Sequence, residues 1–168
     1  MAESTGVLAR VITVSDRSAA GLRPDASGPA AADALRAAGY VPSVAVVPDG
    51  ADAVAAALHD ALASGARLIV TTGGTGVGPR DLTPEGTRGV LNVEVPGIAE
   101  AVRRRGQEAS PHGVLTRGLA GVVRPGDASA EGALIVNLPG KPAAVAEGLE
   151  VVLPLAPHLL DQLQGGDH

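Results

Sequence analysis

Thr71-Thr72-Gly73-Gly74-Thr75-Gly76-Val77-Gly78-Pro79-Arg80-Asp81-Leu82-Thr83-Pro84-Glu85 follows the apolar run Leu68 to Val70 and ends in a helix-start signal. Leu68 to Val70 reads as a short buried strand. Gly73, Gly74, Gly76 and Gly78 let backbone N–H groups approach an anion without Cβ interference. Thr83 as N-cap, with Pro84 at the first helical position, predicts a helix from there onward. Glycines of this density also make a plain structural turn. The adjoining Arg80 and Asp81, and the strand-turn-helix context, favour a phosphate held together with a metal.

The same alternation extends outward on both sides. Leu8 to Val14 reads as a buried strand, followed by a polar loop from Ser15 to Ser27. A helix begins near Gly28-Pro29, with Ser27 as its cap, and stops at Gly39. A second apolar run, Val41 to Val47, leads through Pro48-Asp49-Gly50 into a helix over about Ala51 to Ala63. Gly65 closes it, and a third strand, Arg67 to Thr71, delivers the glycine turn. Strands alternating with helices of this length predict a mainly parallel sheet covered on both faces. Ser15-Asp16-Arg17, Pro48-Asp49-Gly50 and the glycine turn each follow a strand, so three polar loops are expected along one edge of the sheet.

Beyond Pro96-Gly97 a helix is expected over Ile98 to Gln107. The triplet Arg103-Arg104-Arg105 then ends it as a solvated face, where cations meet the helix dipole favourably. Thr116 to Arg124 and Ala133 to Leu138 look extended and are joined by a loop with strong turn chemistry, giving an antiparallel hairpin appended to the sheet. Leu138-Pro139-Gly140-Lys141-Pro142 opens a last helix that Pro154 and Pro157 are expected to break in two. The tail from Gln164 is expected to fray. The fold class is α/β: a three-layer sandwich, one domain over 1–168, with helices on both faces.

Composition narrows the function. The chain has 168 residues, net charge −5, one Tyr and neither Phe nor Trp, so the core is aliphatic and base-stacking platforms are missing. No nucleic-acid partner is expected. The absence of cysteine excludes disulfides and thiolate sites and suits a cytoplasmic setting. Met1 to Thr5 carries no export signal, and no uninterrupted apolar run approaches a membrane span, so no membrane partner is expected. No histidine has metal-site spacing. By residue chemistry alone, Asp49 reads first as a turn residue. Asp16 and Arg17 are either site residues or a solvated pair. Asn137 either reads a heterocycle edge or satisfies a turn.

Several motifs in order carry a resemblance that spans nearly the whole chain. They are Val14-Ser15-Asp16-Arg17; Gly21 with Asp25, Ser27, Gly28 and Pro29; Val47-Pro48-Asp49; the glycine turn through Glu85; and Asn137-Leu138-Pro139-Gly140-Lys141-Pro142. Together they resemble the molybdopterin adenylyltransferase family, Mog or MoaB-like. The resemblance implies a single molybdopterin-binding domain that transfers AMP from ATP to the terminal phosphate of molybdopterin with Mg²⁺, releasing pyrophosphate. It further implies a homotrimer, small-molecule substrates and a molybdenum insertase as partner. By position, Asp49 and Asp81 match the family's catalytic carboxylates; their chemistry suits Mg²⁺, with Asp81 the firmer ligand and Asp49 either sharing the ion or positioning the attacking phosphate. Ser15, Gly73, Gly74, Thr75, Gly76, Thr116, Asn137, Pro139 and Gly140 match ligand contacts; Asp16 and Arg80 are further candidate contacts from their loops, and by charge alone Arg80 and Lys141 suit electrostatic assistance. Two alternatives stay open: a weakly active molybdopterin-binding carrier of the same fold, and nucleotide hydrolysis. Thr116 stands where the family often has Ser, which keeps the hydroxyl, and Ala143 stands where some members are polar.

Overall fold

The structure, a computed structural model, describes residues 6–166. The readings of Met1–Thr5 and of His168 lie outside them. Six strands form one sheet in the order β2-β1-β3-β6-β5-β4. They are β1 (Leu8–Val14), β2 (Val41–Val47), β3 (Leu68–Thr72), β4 (Val93–Glu94), β5 (Ala120–Val123) and β6 (Ala133–Leu138). The pairs β1–β2, β1–β3 and β3–β6 are parallel, and β5 runs antiparallel to both β6 and β4. The expected antiparallel hairpin is present as β5 and β6, and it joins the parallel sheet through β6. Its second strand, β6, is the fourth strand of the parallel sheet, while β5 and the two-residue β4 supply an antiparallel edge.

Period-two alternation along the strands splits the core into two layers. Ala9, Val11, Leu68, Val70, Leu134, Val136 and Leu138 point to one face. There they pack on α2 (Ser27–Ala37), α5 (Pro96–Ala109) and α6 (Pro142–Gln162). Ile12, Val14, Ile69 and Ile135 point to the other, against α3 (Ala51–Ala63) and Val90, which follows α4 (Thr83–Arg88). Because central strands are buried on both faces, their sequences are continuous apolar runs rather than alternating ones. The short helix α1 (Asp16–Ala19) lies within the segment expected to be a loop, and Ser15 caps it by accepting from the Ser18 N–H at 3.2 Å.

Four helix expectations are corrected. Ser27 is not a cap: Asp25 Oδ1 accepts the Gly28 N–H at 3.0 Å, while the Ser27 hydroxyl pairs with Thr72 Oγ1 at 2.9 Å. Thr83 is likewise inside α4 rather than capping it, and its hydroxyl donates to the Gly73 carbonyl at 2.9 Å. The Arg103–Arg105 triplet lies within α5, not at its end: Arg103 donates to the Gly118 carbonyl and Arg105 pairs with Glu150. Finally, α6 runs unbroken past Pro154 and Pro157. Both prolines are on its exposed side, where carbonyls left without an N–H partner meet water. Gln164 is also held, its amide donating to Glu131 at 2.9 Å.

Helix α6 is long and apolar enough to cross a membrane by length and mean hydropathy, although Glu147 and Glu150 interrupt its apolar run. Val145, Leu149, Val152, Ala156 and Leu160 are buried against the sheet and the neighbouring helices, which accounts for its apolarity.

Close helix packing holds the far end of the glycine turn. A Cβ on Gly86 of α4 would lie 2.4 Å from the Ala51 carbonyl oxygen and 2.9 Å from Val54 Cβ at the start of α3. Alanine favours a helix over glycine by about 1 kcal/mol, but overpacking against backbone costs about 1–3 kcal/mol. Gly86→Ala is therefore expected to lower stability in urea unfolding. A stabilised variant would show that α3 and α4 have room to part.

Candidate active site

The chain leaves β1 toward β2 on one side and returns to β3 on the other, so the carboxyl ends of β1 and β3 form a topological switch point, where open α/β sheets take ligands. Parallel β6 ends beside them. Gly73, at φ 96°, donates its N–H to the Leu138 carbonyl at 3.0 Å. A Cβ on it would lie 2.4 Å from the Val14 carbonyl oxygen and 3.9 Å from Gly140 Cα. The ends of β1, β3 and β6 thus meet around a residue that has no side chain.

Beneath this junction lies a buried polar network. Thr83 Oγ1 donates to the Gly73 carbonyl, and Thr87 Oγ1 donates to the Thr83 carbonyl at 2.8 Å. Asn137 Nδ2 donates to Thr87 Oγ1 and to Thr71 Oγ1, both at 2.9 Å, while its Oδ1 accepts the Leu119 N–H at 3.0 Å. Asn137 is only 3% exposed. Sequence reading puts this side chain among the ligand contacts; its amide is instead spent inside, so it shapes the site from below. Its position at a strand end was legible, but its partners, scattered from Thr71 to Leu119, were not.

Above the junction is a cleft in two lobes. The larger, about 530 Å³, is lined by Thr75, Gly76, Thr116, Pro139 and Gly140 together with Val102, Leu115 and Ala144. The smaller, about 300 Å³, is lined by hydroxyls and charges, among them Thr13, Ser15, Arg23, Asp25 and Ser27. Gly140 and Lys141 line both. Backbone N–H groups of Gly74, Thr75, Gly76 and Val77 in the glycine turn, and of Gly140 and Lys141, make no hydrogen bond to the described residues. Of these residues Thr75, Gly76, Gly140 and Lys141 line the lobes, and unpaired donors bordering a cleft are suited to an anion.

The predicted acidic residues flank the turn and line neither lobe. Asp49 Oδ2 accepts the Asp16 N–H at 2.9 Å, and Asp16 Oδ1 accepts the Asp49 N–H at 3.0 Å, locking the loops after β1 and β2 to each other. Arg80 closes the set, bonding the Asp16 carboxylate and donating to the Asp49 carbonyl at 3.0 Å. Asp16 thus pairs with Arg80, not with its neighbour Arg17, and that hydrogen bond holds its carboxyl below the ordinary aspartate value. Asp81 Oδ2 accepts the Gly78 N–H at 2.9 Å and lies 2.8 Å from where a Cβ on Gly76 would sit. Asp49 Oδ1 lies 3.4 Å from the corresponding point on Gly74. Both carboxylates therefore abut the same glycine turn.

Arg117 is the residue that sequence reading missed. It donates to the Gly76 carbonyl at 2.7 Å and to the Asp81 carbonyl at 2.6 Å, pairs with Glu85, and gives its own N–H to the Thr75 carbonyl. Next to it, Thr116 Oγ1 bonds Thr75 Oγ1 at 2.9 Å. The turn is thus clamped from Thr75 to Asp81 by two consecutive side chains. Their adjacency in Leu115-Thr116-Arg117 was the available signal. The hydrogen bond from Arg117 holds the Glu85 carboxyl below its ordinary value, against the opposing effect of partial burial.

Two measurements check this architecture. Replacing Asn137 with Ala leaves the Leu119 N–H and two buried threonines short of partners, so a loss of about 3 kcal/mol in denaturant unfolding is expected; a near-neutral change would remove Asn137 as the hub. Folding lowers the Glu85 pKa, so its pair with Arg117 contributes fully above the ordinary glutamate range. That contribution fades as pH falls through the depressed folded value. The pair is partly exposed and is worth about 1 kcal/mol or less. The Tm gap between wild type and Glu85→Gln should accordingly be widest near neutral pH and shrink in acid, whereas a pH-independent gap contradicts the pairing.

Comparison with known proteins bears on the fold and the family. The family described as probable molybdopterin binding domain matches residues 10–158. A molybdenum cofactor biosynthesis bifunctional protein from Synechococcus elongatus is 42% identical over 97% of this chain and 49% of its own length. The chain spans about half the length of the bifunctional relatives it matches. A molybdopterin adenylyltransferase from Pyrococcus furiosus is 38% identical over 89% of this chain and 87% of its own. Among solved structures, the molybdopterin biosynthesis Mog protein from Mycobacterium ulcerans superposes with a TM-score of 0.85 at 42% identity, covering 96% of this chain and 99% of that one. With its sheet order, its glycine turn and these matches taken together, the chain belongs to the molybdopterin-binding domain family of molybdenum cofactor biosynthesis.

Proposed function

We propose that the protein is a molybdopterin adenylyltransferase, moving AMP from ATP to the terminal phosphate of molybdopterin. The observation that carries this reading is the two-lobed cleft at the switch point, bordered by unpaired N–H groups from two turns. Two lobes suit two substrates, and a row of free donors suits phosphate. The name of the Pyrococcus furiosus relative, which matches nearly end to end, supports the same activity.

In the reaction a terminal phosphate oxygen gives a lone pair to the α-phosphorus of ATP. The bond from the α-phosphorus to the bridging oxygen breaks, and its electrons leave with pyrophosphate. No protein nucleophile is needed. The chain's part is alignment and neutralisation of charge between two anions. The free N–H groups of Gly74 to Val77 and of Gly140 and Lys141 hold phosphate oxygens, Thr75 and Thr116 fix the wall of the larger lobe, and Arg117 keeps the turn in shape.

The donor set fits a hard divalent ion. Asp49 and Asp81 come from different loops against one turn, and each keeps Oδ1 free of hydrogen bonds to the described residues. No cluster of three or more acidic or histidine side chains is present among the described residues, which suits Mg²⁺, an ion that takes one or two carboxylates plus waters and phosphate oxygens. Asp49 and Asp81 would hold it. When bound, Mg²⁺ supplies neutralisation of the phosphate oxygens. Asp16 and Arg80 hold the Asp49 loop in place.

A homotrimer in the cytoplasm, working beside a molybdenum insertase, is the setting that accompanies this reading. The exposed Leu8 at the start of β1, with Val41, Val44 and Val46 along edge strand β2, supports assembly. The bifunctional relatives join a matching segment to further sequence, which supports a functional neighbour. A second reading, a carrier that binds molybdopterin with little turnover, is favoured by one observation: neither carboxylate lines a lobe.

AMP transfer from labelled ATP to molybdopterin, with pyrophosphate release followed at steady state, separates the two. Asp81→Asn and Asp49→Asn are each expected to lower kcat/KM by about 10²-fold or more. Transfer at the wild-type rate in both variants would refute the mechanism, and binding without turnover in the wild type would favour the carrier.

A further inference from the structure

The two lobes share only Gly140 and Lys141, and Lys141 is the one lysine in the chain. Other cations around the glycine turn are committed. Arg80 bonds Asp16 and the Asp49 carbonyl, Arg117 bonds Glu85 and two turn carbonyls, and Arg103 bonds the Gly118 carbonyl. Arg23 lines the smaller lobe alone and His112 the larger alone. The Lys141 ammonium makes neither a hydrogen bond nor an ion pair among the described residues.

Its position is unfavourable on internal grounds. Lys141 is the N-cap of α6, a helix of 21 residues with no acidic residue in its first turn. A cation there faces the positive end of the helix dipole, where an anion would be stabilised instead. An exposed cation without a protein partner, shared by two lobes that border unpaired N–H groups, is placed where two meeting phosphates would be neutralised.

We propose that Lys141 is a catalytic residue that contacts phosphate oxygens of both substrates where the lobes join. It neutralises charge on the attacking phosphate and on the departing pyrophosphate, while no bond to Lys141 forms and no proton leaves it. This inference rests on the adenylyl-transfer reading.

The single lysine makes a direct test simple. The folded protein is acylated at limiting N-hydroxysuccinimide acetate, and modification of the peptide carrying Lys141 is followed by mass spectrometry with and without Mg²⁺-ATP or Mg²⁺-pyrophosphate. Both anions are expected to slow Lys141 acylation about tenfold. In parallel, Lys141→Gln should lower kcat/KM for AMP transfer by about 10²-fold, and Lys141→Arg should recover part of that loss. The ligand-free Tm of Lys141→Gln should equal or exceed that of wild type, since a repulsion at the helix start is removed; a merely structural lysine would lower it. Acylation unaffected by either anion, or wild-type transfer by Lys141→Gln, overturns the proposal. If ATP protects Lys141 yet wild type transfers no AMP, the phosphate contact is supported and adenylyl transfer fails. If wild type transfers AMP while Lys141 is unprotected and replaceable, the function stands and this inference falls.

Discussion

Gly73 is pressed between the last carbonyl of β1 and the turn that follows β6, and its N–H is bonded to Leu138. Any side chain there would force one of three strand ends away from the others. The positive φ adds a second restriction, since L side chains rarely adopt it. On this contact depends the proximity of the Ser15 loop, the glycine turn and the Pro139–Lys141 turn, and hence the existence of a two-lobed cleft. A neighbouring strand pair without such a contact would splay with the sheet's natural twist.

Polar side chains then make the junction rigid without giving up burial. Thr13, Ser27, Thr71, Thr72, Thr83, Thr87 and Asn137 are all buried near the carboxyl ends of the central strands. Their hydrogen bonds run between elements distant in sequence, so each bond fixes one loop against another. In a core that is aliphatic apart from Tyr40, a satisfied network of this kind specifies a single arrangement, because any slip would strand a buried donor. Arginines do the corresponding work at the surface. Arg80 ties the loops after β1 and β2 to the turn, and Arg117 ties the turn to the segment before β5. Their charges are neutralised locally, which leaves little free positive potential on a chain of net charge −5.

Much of the fold was legible because burial on both faces writes an apolar run, and helix ends are written in glycine and proline. The parallel β-α-β order, the switch point and the place of the glycine turn follow from those signals. Errors occurred where a side chain had two roles to choose between. Thr83 and Ser27 have the chemistry of caps, but each found a buried partner that offered more than a helix N–H open to water. Pro154 and Pro157 have the chemistry of breakers, yet α6 is held by the packing of Val152, Ala156 and Leu160, and the unpaired carbonyls face solvent. Asn137 shows the same rule within the site, where an amide suited to reading a heterocycle was taken up by two threonine hydroxyls and a backbone N–H.

By itself the sequence determined the main strands and helices, though not α1, β4 or the continuity of α6, that the sheet is mainly parallel, and that the loops carrying Asp49 and Asp81 share one edge with the glycine turn. These properties are local, or follow from the handedness of crossovers. Only the tertiary structure decided that Asp16 pairs with Arg80, that Arg117 clamps the turn, and that Lys141 stands between two lobes. Each of those depends on distances between residues tens of positions apart, which the packing of the sheet sets and no local pattern encodes.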